Sequence, residues 1–243
     1  MKILITGARR GVGRSTALTL AGDHDIAINY RMSEEAAAEV VEAVRKQGST
    51  AVAVGADVRD SEAVKSMIEE VVDTFGELDA VVNNAGIVDP SLVTNIDDDQ
   101  WSRVLNTNLT GAFYVTREAI PHLKPDGDVV FVSSIGGTSG TVDASYAASK
   151  AGLHGLTRSL AREYGNEGLQ VNAVAPGPAK TDMNDEIISY LETIEFQGHE
   201  NVDTYLPEYA CQPEEIAHTI EYLLENEYVQ GEIININGGM QFQ

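Results

Sequence analysis

The sequence predicts an α/β fold built on a doubly wound, seven-stranded parallel sheet with helices on both faces. Two observations carry this. Short apolar runs alternate with amphipathic stretches of helical length along the whole chain, the pattern of successive βαβ units. A glycine cluster, Gly7, Gly11 and Gly13, lies between the first apolar run and the first helical stretch, where a Rossmann fold turns from strand to helix. The 243 residues fit a single domain, 1–243.

The first strand is expected at 2–6, an apolar run that follows Met1 and enters a glycine turn instead of a cleavage site, so it reads as a strand and not as a signal peptide. A helix over 13–21 leads to a strand at 25–30. The amphipathic stretch 34–47 leads to a strand at 50–56, and 62–75 to a strand at 80–83. A long helical pattern, 98–123, precedes the apolar run 128–133. A helix over 145–164 leads to the strand 170–175, and one over 213–225 to the last strand, 232–235. Crossovers between such strands are right-handed, and two βαβαβ halves place a ligand crevice beyond the strands' carboxyl ends. The stretch 181–212 breaks the rhythm. It has mixed polarity, contains Tyr205 and Tyr209, shows no clear strand and is too long for a tight connection, so it is read as a substrate lid.

Acid outnumbers base, with 38 Asp+Glu against 16 Lys+Arg and a formal net charge of −22. Nucleic-acid partners, which need cationic surface, are disfavoured. No run reaches the ~18 apolar residues of a membrane span. The single Cys211 cannot form an internal disulfide, and the chain reads as cytoplasmic. Acidic clusters such as Asp97 to Asp99 fall outside the apolar runs, so the excess lies on the surface. It points to a halophilic protein working in concentrated salt, where self-repulsion is screened.

Tyr146 and Lys150 stand at i and i+4 of a helical stretch and share a face. A free phenol loses its proton near pH ~10. A neighbouring cation favours phenolate and brings the group toward working pH, where it can pass a proton to or from a substrate oxygen. In the glycine turn, Gly7-Ala8-Arg9-Arg10-Gly11-Val12-Gly13 lets a dinucleotide pyrophosphate approach N–H groups at a helix N-terminus. Beyond the second strand, Tyr30-Arg31-Met32-Ser33 carries no acid for a ribose hydroxyl, whereas Arg31 with Arg10 suits a 2′-phosphate. NADP(H) is therefore expected, with NAD(H) the alternative. Asp57-Val58 and Asn84-Ala85-Gly86 follow the third and fourth strands and line the same crevice, the aspartate facing an adenine amino group and the others a ribose.

With these residues in this order, the chain resembles the short-chain dehydrogenase/reductase family over essentially its whole length. The match runs through Thr6 to Gly13, Asn83 to Gly86, Asn108, Ser133-Ser134, Tyr146 with Lys150, and Pro176-Gly177 with Thr181. Within the family it looks most like the reductases of 3-oxoacyl thioesters carried on acyl carrier protein or CoA, through Asn106 to Gly111, Lys150 to Gly155 and Asn237 to Met240.

The resemblance implies a small carbonyl or alcohol substrate and a homotetramer, with the long helices after Asn83 and Ser145 packing across a two-fold axis. It implies that Tyr146 protonates the carbonyl oxygen as hydride arrives, while Lys150 lowers the tyrosine pKa and holds the nicotinamide ribose. A serine hydrogen-bonds the same oxygen, and Asn108 anchors a water that links Lys150 to solvent. Pro176 and Gly177 support the nicotinamide, and Thr181 bonds its carboxamide or the phosphates. Spacing from the tyrosine selects Ser133 as the serine. The local Ser-Ser-x-x-Gly pattern selects Ser134, which is the expected residue, with one loop residue deleted in 136–143. A one-residue shift would point the hydroxyl to the opposite face.

Acids in the lid, Glu192, Glu195, Glu200, Asp203 and Glu208, would repel the phosphates of a thioester carrier. A sugar or polyol dehydrogenase is therefore the alternative within the class, and a catalytically silent NADP(H)-sensing protein the alternative outside it. His122 and His154 read as packed or interface residues, and no His/Cys/Asp set has zinc-ligand spacing. Ser134 lacks the nucleophile elbow of a hydrolase.

Overall fold

The computed structural model describes residues 1–194 and 205–241. Its strands are β1 (Lys2–Ile5), β2 (Asp25–Tyr30), β3 (Ala51–Gly55), β4 (Leu78–Asn83), β5 (Leu123–Val132), β6 (Gln170–Pro176) and β7 (Ile233–Ile236). They form one parallel seven-stranded sheet in the order β3-β2-β1-β4-β5-β6-β7. The order reverses between β1 and β4, which is the doubly wound switch point.

The helices are α1 (Gly11–Thr19), α2 (Glu34–Lys46), α3 (Ser61–Phe75), α4 (Asp98–Leu105), α5 (Gly111–Ala119), α6 (Ile135–Ser139), α7 (Ala144–Tyr164), α8 (Asp182–Thr193) and α9 (Pro213–Glu225). Side chains alternate across each strand, so Ile3 and Ile5 meet α1, α2 and α9 on one face while Leu4 meets α3 and α5 on the other. Phe131 and Val171 extend the second face against α7 through Leu153 and Leu160. Burial on both faces explains why the strands read as near-continuous apolar runs. Each such Leu, Ile or Phe contributes ~1.5–3 kcal/mol by leaving water.

The structure corrects the single helix expected over 98–123. It is divided into α4, a π-helical turn at Asn106–Thr110, α5 and a 3-10 turn at Ile120–His122. Asn106, Thr107, Asn108 and Thr110 are weak helix formers, so the widened turn falls where regular helix is least favoured. Gly111 then lets α5 approach Val58, whose Cγ2 would lie 2.7 Å from an added Cβ. Strands β4 and β5 also begin earlier than expected, because the polar residues from Lys124 to Gly127 hide the start of β5 from an apolar pattern. Within 181–212 the structure forms α8 and a β-bridge between Ala179 and Cys211, just outside and inside that stretch. Residues 195–204 of the expected lid, with Glu195, Glu200 and Asp203, lie outside the described residues. Among the described residues no helix is long and apolar enough to cross a membrane.

Candidate active site

The glycine turn is held by side chains from three strand ends. Asn84 Nδ2 donates to the Thr6 carbonyl at 2.8 Å and to the Gly7 carbonyl at 3.2 Å, and Thr6 Oγ1 accepts from the Asn84 and Ala85 amides at 3.0 Å. Asn29 Oδ1 accepts from the Gly7 amide at 3.2 Å while its Nδ2 donates to the Val54 and Ala56 carbonyls. Gly7 has φ +64°, and a Cβ there would lie 2.9 Å from Ala85 Cα; one on Gly13 would lie 2.5 Å from Asn84 Nδ2. Only glycine fits at either position. Arg10 caps α1 without a side-chain acceptor and the first turn has no acid, so its N–H groups stay open to an anion.

A cleft of about 1240 Å³ runs over the carboxyl ends of the strands. Arg9, Arg10, Arg14, Arg31, Lys150 and Lys180 line it, six of the chain's 16 lysines and arginines, in a protein of net charge −22. Gly7, Gly11, Val12, Tyr30, Asp57, Val58, Asn84, Ala85 and Gly86 line it as well, as do Ser134, Tyr146, Pro176, Gly177 and Thr181. Three expected residues do not. Gly13 packs beneath the turn, Ser33 starts α2 with φ 62°, and Asn108 stands behind the cleft wall.

The Asp57 carboxylate is already engaged. Arg59, which the sequence reading missed, donates to it from Nε at 3.0 Å and from Nη2 at 2.5 Å. These hydrogen bonds, against some burial, hold the carboxyl below its usual range. Asp57 is thus oriented by Arg59 before it meets any ligand.

Tyr146 and Lys150 lie on the buried face of α7, with Lys150 Nζ 5.7 Å from the centroid of the phenol ring. Nζ donates to the Val132 carbonyl at 2.7 Å, at the end of β5. The next two residues face opposite ways. Ser133 Oγ donates to the Lys150 carbonyl at 3.0 Å and lies 2.7 Å from His154 Nε2, inside the core. Ser134 Oγ accepts from the Gly136 amide at 3.0 Å as the N-cap of α6 and lies on the Tyr146 side, both its Oγ and Tyr146 Cε1 standing 3.4 Å from where a Cβ on Gly136 would be. Of the two serines, Ser134 is the one brought against Tyr146, and His154 is a packed residue.

Asn108 sits in the π-helical turn. Its Oδ1 accepts from the Ile87 amide at 2.8 Å, and its Nδ2 donates to the Ile87 carbonyl at 2.9 Å and to Ser149 Oγ at 3.0 Å. Ser149 Oγ in turn donates to the Tyr146 carbonyl at 2.7 Å. Gly86 keeps a gap beside this group, because a Cβ there would come within 3.3 Å of Lys150 Nζ and 3.4 Å of Asn108 Oδ1.

The electrostatics differ from expectation. Burial dominates at Tyr146 and pushes the phenol up, against the opposing Ser134 hydrogen bond and with the Asp143 charge adding to the rise. Burial also pushes the Lys150 ammonium itself down to about 8. Desolvation outweighs the pairing that i, i+4 spacing implies.

Beside the phenol the cleft lining is apolar through Ile87, Met183 and Ile187; Ile135, Val142 and Leu191 also line the cleft, as do the polar Ser139, Thr141 and Asn184. Met183 and Ile187 pack against the cluster of Val88, Val104 and Tyr146. Their i, i+4 spacing was legible only once 182–193 was known to be helical. Gly177 donates its amide to the Ile236 carbonyl at 2.9 Å, and Thr181 Oγ1 donates to the Ala179 carbonyl at 3.4 Å.

A doubly wound sheet, an anion-ready glycine turn and a Tyr/Lys/Ser cluster define a nucleotide-dependent oxidoreductase. The family model described as short chain dehydrogenase matches residues 1–191, and the chain belongs to this family. A 3-oxoacyl-acyl-carrier-protein reductase of Staphylococcus aureus is 41% identical over 244 residues, covering 98% of this chain and 96% of that protein. Versicolorin reductase of Emericella nidulans is 35% identical over 250 residues, covering 97% and 94%. The structure of a short chain dehydrogenase from Burkholderia cenocepacia in complex with NADP matches with a TM-score of 0.89 and 32% identity, covering 98% and 96%.

Proposed function

We propose that this oxidoreductase uses NADP(H) to reduce a 3-oxo group, carried as an acyl thioester, to the 3-hydroxy product. The observation that carries the reading is the apolar wall beside the Tyr146 phenol, where Ile87, Met183 and Ile187 of the cleft lining pack with it. An acyl chain gains there by leaving water, whereas a polyol would leave hydroxyls unpaired. The likeness to the Staphylococcus aureus reductase supports the same substrate class.

The donor set fits a cofactor with a 2′-phosphate. The N–H groups of α1 suit the pyrophosphate, and Arg10 with Arg31 suits the ribose phosphate. NADPH, when bound, supplies the hydride to the carbonyl carbon. Tyr146 gives its phenolic proton to the carbonyl oxygen, and Ser134 donates a hydrogen bond to the same oxygen. Burial that keeps the phenol protonated suits a donor. Lys150 holds the ribose hydroxyls and, through a water held beside Asn108, returns a proton to Tyr146. Pro176, Gly177 and Thr181 hold the nicotinamide end, and α8 borders the substrate through Met183, Ile187 and Leu191.

Lys180 Nζ lies 3.1 Å from Glu208 Oε2, which offsets one acid of that stretch and eases the objection to a phosphate-bearing carrier. A homotetramer is part of this reading, with Trp101 and Phe113, 41% and 42% exposed, on the helices expected to pair. Sedimentation tests it. The reaction is tested by steady-state rates on acetoacetyl-CoA, acetoacetyl carrier protein, aldoses and simple ketones, with both cofactors, in molar KCl. The thioesters turn over with NADPH; turnover of a sugar with failure of every thioester overturns the assignment.

A further inference from the structure

Asp143 is one of two non-glycine described residues with positive φ, at 150°, the other being Ser33. A non-glycine residue persists there only where its surroundings over-determine it. Those surroundings are unusually specific. The residue is 2% exposed, and its Oδ1 accepts from the Ser145 amide at 3.0 Å, Ser145 Oγ at 2.6 Å and the Tyr146 amide at 3.1 Å. Its Oδ2 accepts from the Asp89 amide at 3.3 Å. Asp89 is itself fastened to α4, because its carbonyl accepts from Gln100 Nε2 at 2.6 Å and its carboxylate pairs with Arg103. One carboxylate therefore ties the first turn of α7, which carries Tyr146, to the loop that supplies Ile87 to the cleft and Val88 to the cluster around the phenol.

We propose that Asp143 is a positioning residue for Tyr146, fixing the start of α7 and with it the phenol against the wall formed after β4. The inference rests on the reading of Tyr146 as the proton donor. A capping serine or asparagine would satisfy the same amides without a charge. The groups facing the phenol are few. Lys150 approaches from its own helix and the Ser134 hydroxyl from the end of β5, while Val88, Val104, Met183 and Ile187 are uncharged. Asp143 is the anion in this set, and its charge pushes the phenol further toward the protonated form that a donor requires. The group facing Asp143 across the loop, Asp89, is neutralised by Arg103.

The test is a near-ultraviolet phenolate titration of Tyr146, read as the difference between each protein and its Tyr146→Phe counterpart, together with kcat and KM. Asp143→Asn keeps an acceptor oxygen and removes the charge; Asp143→Ser keeps a cap and removes both charge and tie to Asp89. We expect the Tyr146 titration to move to lower pH by about half a unit or more in both. We also expect kcat to fall severalfold in the serine variant with the KM for NADPH unchanged. An unchanged kcat in the serine variant, or a titration that stays in place in whichever variant folds, overturns the proposal. Loss of activity in Tyr146→Phe tests the donor reading separately, since the absorbance shift does not require turnover.

Discussion

The Arg10 guanidinium of the glycine turn is ion-paired with the Asp182 carboxylate at the start of α8, so one mouth of the cleft is strapped to the other. Both side chains are exposed, and such pairs are worth only ~0.2–1 kcal/mol. The pair matters for competition more than for stability. A cofactor phosphate that reaches Arg10 competes with Asp182 for the guanidinium. Asp182→Asn is expected to tighten NADPH about two- to fivefold, the scale of such a pair, with a smaller effect on NADH. Fluorescence titration with both cofactors checks this, and an unchanged ratio would place Arg10 away from the 2′-phosphate.

Neighbouring serines separate by role. Ser134→Ala should lower kcat about 10²-fold or more, as removal of an oxyanion-type donor does. Ser133→Ala removes the contacts to the Lys150 carbonyl and His154, and should instead cost ~1–2 kcal/mol of stability. Steady-state kinetics beside thermal melts of the two variants decide it; equal kinetic losses would contradict the geometry.

With burial holding Lys150 at about 8, its ammonium is lost as pH rises through that value. The reductive rate should fall above pH about 8. Stability moves the other way. Between about 8 and 10.5 the unfolded chain binds the proton and the folded one does not, so the folded state gains as pH rises through that window. Lys150→Met should abolish this gain in denaturant titrations across the same range.

At the other end of the sheet, burial and the nearby Asp79 charge push Asp128, 4% exposed, up to about 7. Its folded pKa lies above the unfolded value of 3.8, so the folded state holds the extra proton. Stability is then full at low pH and lost as pH rises toward about 7. Asp128→Asn should remove this fall and raise Tm by about 5 °C or more at pH 8, on the scale of ~2–4 °C per kcal/mol. Melts at pH 5 and pH 8 are the check, and a mutant that gains nothing at pH 8 sinks the idea.

The acidic surface carries its own expectation. Screening relieves self-repulsion at a net charge of −22, so Tm should climb steadily with KCl from millimolar to molar concentrations. A salt-independent Tm would end the halophilic reading.

Much of the fold could be read in advance because its determinants are local. Ile3, Ile5 and Leu4 announce a strand covered on both faces, and Gly7, Gly11 and Gly13 announce the turn that follows it. Bounds failed where polarity masked pairing, as from Lys124 to Gly127 in β5, and where helix geometry widened at Asn106–Thr110. In the site, residues at the strand ends were legible by position, whereas Arg59, Met183 and Ile187 became visible only through contacts across the cleft.

The sequence by itself determined the parallel sheet, the glycine turn and the shared face of Tyr146 and Lys150, since periodicity and i, i+4 spacing survive without knowledge of neighbours. Tertiary structure alone decided that Ser134 and not Ser133 meets the phenol, that Arg59 occupies Asp57, and that Asp143 ties α7 to the loop after β4. It also reversed the expected direction of the Tyr146 shift. Each of these depends on which groups lose water together, and desolvation is a property of the packed whole.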